Sequence, residues 1–589
     1  MRGLMIEDPA HKHRLMRRDW LVLGVILALT VPSLVLGIDV RLSTHTMENL
    51  AVVTSQETFL RLAEDPAAGL IVSTNDGQPR LEKPPMVVWL NLLAWSDLDP
   101  ATATPQQLIF RARCVTVALS AMMLASIFLL GRSLGDWRFA ALATMSVAST
   151  FFFQRQARTA SYDMHYVAWT STAVALGIWA MNPLGAAPSL ARRLAGWGGY
   201  AVCLAAAVMS KNPLPYLLGL PPLIAAVVLL SERRRTDALW LIAAILCSAI
   251  PVAAWYWHVF ATYPRLAERV LAREMRQPRL DYQPLWYYLG VFVLVVPWTA
   301  WLVGSLIEPF RLQRGPRRRA AMLAVFWFAL IFVGMSIPAA KQQRYILGIL
   351  PAVGLLLAMF IRQHNERARG EDGAQGRDDP VFRVLFAALW IALGVASIAT
   401  VWFFTAQEGY ARFESHLMDD AQRVVAPLSL SASVVLAIGL LVVCAFGWRW
   451  HAHQPWRSAM ASGVWMLVIM TVFWNQEARE DEARLRAYVD ETARIRAIVG
   501  EAPVRSLRWT RADEAWQLNE EFRIYFGRLI HRIWPDDVDQ WLDKVTGEAF
   551  VLTRPDPQRA RFLQQRGFTM VDHAQVDKDD REELWRRAG

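Results

Sequence analysis

Long apolar runs separated by short polar breaks dominate the chain as far as about residue 475. A helix of about 17–25 apolar residues crosses a ~30 Å hydrocarbon layer. Runs of that kind lie near 20–38, 109–131, 137–155, 163–181, 197–211, 214–231, 238–260, 285–307, 320–338, 344–362, 383–405, 428–447 and 457–474, thirteen in all. The pattern predicts a mainly α, polytopic helical membrane protein. The run at 197–211 is short and ends at Lys211-Asn212-Pro213, so by itself it also fits one broken helix continuing into the next run. The first run follows the basic stretch His11–Arg18 without a small-x-small cleavage site, which makes it a membrane anchor.

The charges between the runs set an orientation. With the N-terminus cytoplasmic, the cytoplasmic connections carry Arg132 and Arg138, Arg192-Arg193, Arg233–Arg235, Arg311–Arg319, the loop Arg362–Asp379, and Arg449–Arg457. Every strongly basic short loop then lies on one side, as the positive-inside rule asks, and this requires 197–211 and 214–231 to cross separately. The opposite side receives the connections 39–108 and 261–284 and the C-terminus. Stretches 47–64 and 86–95 are amphipathic and too short or too polar to span. The second connection places Arg265, Glu268, Arg269, Arg273 and Glu274 among apolar residues at helical spacing. All three read as interfacial helices.

After Trp474 the composition becomes that of an ordinary soluble domain. Helical periodicity covers Glu477–Ile498, strands are expected at Val504–Trp509, Arg523–Phe526 and Ala549–Thr553, and helices at Asp537–Val545 and Pro557–Arg566. The expected division is a transmembrane domain over 1–475 and a small extracytoplasmic α/β domain over 476–589.

Composition supports the membrane reading, since 54% of the 589 residues are hydrophobic, 26 are Trp and only 19% are charged. The net charge of +10 falls in short clusters between apolar runs, not along one face, so it argues for orientation in a bilayer and against nucleic-acid binding. Cys114, Cys203, Cys247 and Cys444 all sit in apolar segments, and no disulfide framework is implied.

The candidate chemistry lies at helix ends on the outer side. In Asp76–Asn91, Glu82 and Lys83 precede Pro84-Pro85 and an apolar run. A proline pair suits the first turn of a helix, so an ammonium there stands at a helix mouth able to hold a phosphate-sized anion. Arg158 and Asp163 lie on the hairpin between the third and fourth runs, Lys211 ends the fifth, and Lys341, Arg344 and Tyr345 precede the tenth. Interfacial snorkelling explains any one of them. Together they gather on one side.

Five stretches in order, GQPRLEKPPMVVWL, ARTASYDMHYVAW, MSKNPLPYLLGLP, QPLWYYLGVFVLVVPW and AAKQQRYILGILP, resemble the GT-C class of membrane glycosyltransferases. Within that class the resemblance is to the family of protein mannosyltransferases and lipid-A aminoarabinose transferase. It implies transfer of a sugar from a polyprenyl-phosphate carrier to a lipid, protein or glycan acceptor on the extracytoplasmic side of the plasma (inner) membrane. Lys83, Lys211, Lys341, Arg344 and Tyr345 would bind the donor phosphate. A carboxylate would take the acceptor's proton, and direct attack would invert the anomeric centre. Where the family has an Asp-Glu pair in the first outer loop this chain has Gln56-Glu57, so the base role falls to Glu57, with Asp163 as its orienting partner. Where aminoarabinose transferases have Glu-His, this chain has Glu274-Met275, a poor partner for a divalent ion held by Glu82; His258 is the remaining candidate and sits in an aromatic run. No cofactor is therefore implied. A polytopic transporter is the alternative. It would place ionisable residues at mid-membrane and broken helices in paired positions.

Overall fold

The computed structural model describes residues 16–43, 46–62, 69–100, 102–183, 185, 187–276, 283–312, 315–368, 380–405, 425–451, 453–509, 520–577 and 580–589. The chain divides into two compact units. The first comprises Met1–Leu36, Leu81–Met86 and Cys114–Glu477, and the second Gly37–Arg80, Val87–Arg113 and Ala478–Gly589.

The protein is mainly helical and polytopic. Among the described residues eight helices are long and apolar enough to cross a membrane: Arg17–Val35, Pro105–Leu134, Arg234–Thr262, Pro316–Ser336, Gln343–Arg367, Val384–Thr405, Leu430–Trp450 and Pro455–Val499. A bent pair, Leu285–Leu294 with Thr299–Arg311, makes nine if it counts as one span. A count of thirteen crossings is not confirmed by this test. The other predicted runs are present as shorter or more polar helices, Trp137–Ala148, Tyr162–Met181, Leu190–Ser210 and Leu214–Leu230.

Two runs expected to be straight are broken. The pair around Pro297 bends by 112°, where proline has no N–H for the helix ladder. In 137–155 the break falls at Ser149-Thr150, where the Thr150 side chain accepts the Phe153 N–H and starts a new helix, Phe151–Ala157. Ser149 Oγ meanwhile accepts the indole N–H of Trp298 at 3.0 Å.

Packing follows from the apolar solvent. On Arg234–Thr262, Leu239, Ile242, Leu246, Ile250 and Trp257 are more than half exposed, while Leu241, Ala244, Ser248, Val252, Trp255 and Val259 are buried. The two sets occupy opposite faces at helical spacing, a lipid-facing stripe and a protein-facing one. Small residues let helices approach each other, as lipid-embedded bundles require. A Cβ added at Gly196 would meet the Ala180 Cβ at 2.5 Å.

Ion pairs and ring contacts within the first unit fall into two groups. In one group Arg132 pairs with Asp19 at 3.2 Å, Arg362 with Asp136 at 3.4 Å and Arg317 with Glu366 at 2.9 Å, and Arg18 and Arg138 lie over the Trp137 ring. Each is a helix end predicted for the basic side. In the other group Arg158, Asp163, Lys211 and Arg344 engage partners at ends predicted for the opposite side. None of these named pairs joins the two groups.

In the second unit, strands β1 (Thr74–Asn75) and β2 (Gln78–Pro79) form a hairpin whose turn residues Asp76 and Gly77 both have positive φ, 59° and 73°. Asp-Gly is the favoured pair for a two-residue turn of this hand. Strands β3 (Val504–Leu507), β4 (His531–Ile533), β5 (Ala549–Thr553), β6 (Thr569–Asp577) and β7 (Asp580–Arg587) form a sheet of order β4-β3-β5-β7-β6. The first three run parallel; β7 is antiparallel to β5 and to β6.

The strand expected at Arg523–Phe526 is instead part of a helix, Glu520–Tyr525. Phe522 and Phe526 stack at 5.9 Å, the i, i+4 geometry of a helix face, and Gly527 at φ 72° ends it. Helix Thr46–Leu62, expected to lie amphipathically at an interface, is buried from Ala51 through Phe59. Its Glu48 accepts a bidentate bond from Arg113 at 2.8 and 3.0 Å, both side chains being fully buried. Arg113 Nη1 also donates to the Ile38 and Arg41 carbonyls at 2.7 and 2.6 Å. Segment 37–80 thus shares a core with the C-terminal residues, as the Ser43 N–H donating to Tyr525 Oη at 3.3 Å also shows.

Candidate functional site

In the first unit the site is built on Asp163. It lies in the first turn of Tyr162–Met181, where a carboxylate suits the positive end of the helix, and it is 1% exposed. Lys211 is the C-cap of Leu190–Ser210. The helix must stop there because Asn212 turns the chain, its Oδ1 accepting the Leu214 N–H at 3.0 Å, and Pro213 cannot continue it. Lys211 Nζ reaches Asp163 Oδ1 at 2.5 Å, and Arg344 Nε reaches Asp163 Oδ2 at 3.2 Å from the 3-10 turn Gln343–Ile349.

Two aromatic rings flank the ammonium. Lys211 Nζ is 4.7 Å from the Tyr166 ring centre and 4.6 Å from that of Tyr345, with Arg344 at 5.6 Å from the latter. One carboxylate faces two cations, which leaves a net positive charge at the cluster, suited to an anionic group. Lys341 Nζ donates to the Gln283 carbonyl at 2.8 Å, and Tyr288 Oη donates to the Gln342 carbonyl at 3.1 Å. The stretches QPLWYYLG and KQQRY are therefore joined, and four of the predicted residues, Asp163, Lys211, Arg344 and Tyr345, meet directly.

The other predicted residues are placed as follows. Glu82 and Lys83 belong to the same unit, half-buried in the turn that precedes Met86–Ala94. Arg158 donates to the Ser33 and Leu36 carbonyls, both at 2.8 Å, and lies over the Trp474 ring. It closes the C-terminal end of Arg17–Val35, whose last carbonyls lack helical partners. His258 is half-buried next to Trp257, which is 79% exposed on the lipid-facing stripe. Glu274 lies in the helix Pro264–Arg276, with its side chain outside the described residues. Among the described residues no three His, Cys, Asp or Glu side chains come together as a metal-binding group.

Glu57 belongs to the second unit. It is fully buried on Thr46–Leu62, its Oε1 accepts the Gly77 N–H at 2.8 Å, and its Oε2 has no hydrogen-bond partner among the described residues. Gly77 also faces His531, since a Cβ there would stand 3.7 Å from the imidazole Cε1. Burial holds this imidazole below its usual pKa, and the Glu57 carboxylate opposes the drop.

Sequence reasoning missed Tyr166, Arg155, Gln343 and His531. Tyr166 was findable, being three residues after Asp163 on one helix face. Arg155 donates to Gln343 Oε1 at 3.2 Å, a contact across 188 residues that carries no local signal.

The crystal structure of ArnT from Cupriavidus metallidurans bound to undecaprenyl phosphate superposes with a TM-score of 0.67 over 97% of this chain and 98% of that one, at 18% identity. The chain has the ArnT fold. No protein-family model matches it. The undecaprenyl phosphate-alpha-4-amino-4-deoxy-L-arabinose arabinosyl transferase of Serratia proteamaculans is 22% identical over 410 residues, 64% of this chain and 68% of that protein. The corresponding transferase 1 of Pseudomonas fluorescens is 26% identical over 275 residues, 42% of this chain and 45% of its own. That of Proteus mirabilis is 25% identical over 209 residues, 33% and 34% of the two chains. The chain thus spans a third to just under half of the length of these last two relatives, and the ArnT likeness extends the fold to nearly the whole of it.

Proposed function

We propose that this protein is an integral-membrane glycosyltransferase that moves a sugar from a polyprenyl-phosphate donor to a lipid, protein or glycan acceptor, with inversion. The observation that carries the reading is the Asp163–Lys211–Arg344 cluster between the Tyr166 and Tyr345 rings. It is a cationic, aromatic-walled site in a fold shared with a protein that binds undecaprenyl phosphate. The sequence relatives act on an undecaprenyl-phosphate-linked aminoarabinose, and the same carrier class is the donor proposed here.

In the proposed step the acceptor oxygen attacks the anomeric carbon as the bond from that carbon to the carrier phosphate breaks. The phosphate leaves with the bonding electron pair, and Lys83, Lys211, Lys341 and Arg344 stabilise its charge, with Tyr345 lining the site. The acceptor's proton passes to a carboxylate. Both oxygens of Asp163 are engaged by cations, which supports an organising role. Glu57 keeps one buried oxygen without a partner among the described residues, which supports it as the base.

The test is lipid mass spectrometry of a strain lacking the gene. Accumulation of a polyprenyl-phosphate sugar is the expected result; an unchanged pool of such lipids would overturn the reading. Lys83→Ala is expected to lower turnover or donor affinity by about one to two orders of magnitude, the loss of one charge-assisted hydrogen bond, with expression unchanged. Transfer by the purified variant at the parental rate would remove Lys83 from the site.

The proposed setting is the plasma (inner) membrane, with the N-terminus inside, thirteen crossings, and the domain after residue 475 outside. A periplasm-dependent reporter fused to the C-terminus should be active. Activity only of a cytoplasm-dependent reporter would reverse the orientation.

A further inference from the structure

The carboxyl end of β3 holds buried polar groups that neither the fold nor the transfer chemistry uses. Arg508 follows β3 directly and extends its ladder by one bond, its N–H donating to the Ile533 carbonyl at 2.9 Å. Its side chain is 1% exposed, and both Nε and Nη2 are buried without a hydrogen-bond partner among the described residues. Ser506, two residues earlier and hence on the same face of the strand, is fully buried, its hydroxyl also without a partner among the described residues. Toward the other end of that face the sheet is wholly apolar, with Val504, Phe550, Leu552 and Leu584 packed against Ile495 and Phe522. It offers these donors nothing.

The surroundings are basic. Arg532 is the register partner of Ser506 on β4. Arg523 and Arg532 both pair with Asp76, the latter at 3.3 Å. Burial pushes the Arg508 guanidinium down to about 10, with Glu582 and Asp76 resisting and Arg532 and Arg523 adding to the effect. Buried charges without partners are costly and rare in folded proteins, so a group that completes them is expected. In open α/β sheets ligands bind outside the carboxyl ends of the parallel strands.

We propose that Arg508 and Ser506 form an oxyanion site for a phosphate monoester, with Arg508 donating side-on through Nε and Nη2 and Ser506 donating through its hydroxyl. A guanidinium edge matches two phosphate oxygens, and the serine supplies the donor for a third. Arg532 and Arg523 supply the positive surroundings that a dianion needs. The site does not rest on the transferase reading, because binding is measured without any transfer assay.

The test uses the full chain in detergent and follows thermal unfolding while sodium phosphate is titrated against sodium chloride of equal ionic strength. The midpoint should rise with phosphate and saturate. Arg508→Gln should weaken the phosphate response by about 10–100-fold, the equivalent of one charged hydrogen-bonding group. In phosphate-free buffer its midpoint should be no lower than the parent's, since an uncompensated buried charge has been removed. Ser506→Ala, which keeps the charge, should weaken the response by less, about tenfold or under. Phosphatidic acid in mixed micelles distinguishes the source. A response at lower phosphate concentration than the inorganic ion identifies a lipid headgroup, and the reverse identifies free phosphate. A parent that does not respond to either, or Arg508→Gln and Ser506→Ala variants that both respond like the parent, would overturn the site.

Discussion

Glu57→Gln is expected to lower turnover by about two to four orders of magnitude while donor binding is unchanged. The substitution is nearly isosteric and keeps the Oε1 acceptor, so the bond from the Gly77 N–H that holds the Asp76-Gly77 turn survives. What disappears is the capacity to take a proton. The neighbouring Gln56 cannot supply it, for the same chemical reason. The measurement is single-turnover transfer alongside donor binding on the purified variant. Transfer at the parental rate would rule out Glu57 as the base.

Asp163→Asn should behave differently. It leaves Lys211 and Arg344 buried beside an uncharged amide, and removing one partner of a buried pair costs about 3–5 kcal/mol. The thermal midpoint should fall and transfer should fall with it, whereas Glu57→Gln should change transfer alone. An anion that enters the cluster replaces the missing charge, so undecaprenyl phosphate should restabilise Asp163→Asn more than the parent. An Asp163→Asn protein with the parental midpoint and a purely catalytic defect would exchange the roles assigned to the two carboxylates.

These effects depend on geometry that different levels of the chain determine. The membrane class was legible because a hydrocarbon layer demands runs of a given length whatever they pack against. The place of Lys211 was legible too, since Asn212-Pro213 ends its helix through local backbone chemistry. The five motif stretches pointed to the right elements in order. Less was legible where a residue's local pattern fits two structures. Phe522 and Phe526 suit a short strand as well as one helical turn, and packing decided for the helix.

What the sequence by itself determined is the polytopic helical class and the apolar runs with polar residues at their ends, because hydrophobic period and charge act over a few residues. Tertiary structure alone decided which of those polar residues meet. Asp163 and Lys211 are 48 positions apart, Glu48 and Arg113 are 65, and Ser43 and Tyr525 are 482. It also decided that segment 37–80 shares a unit with the C-terminal sheet instead of lying alone as an interfacial loop. The physical reason is that a buried charge finds its partner through the packing of whole helices and strands, a choice that no window of neighbouring residues encodes.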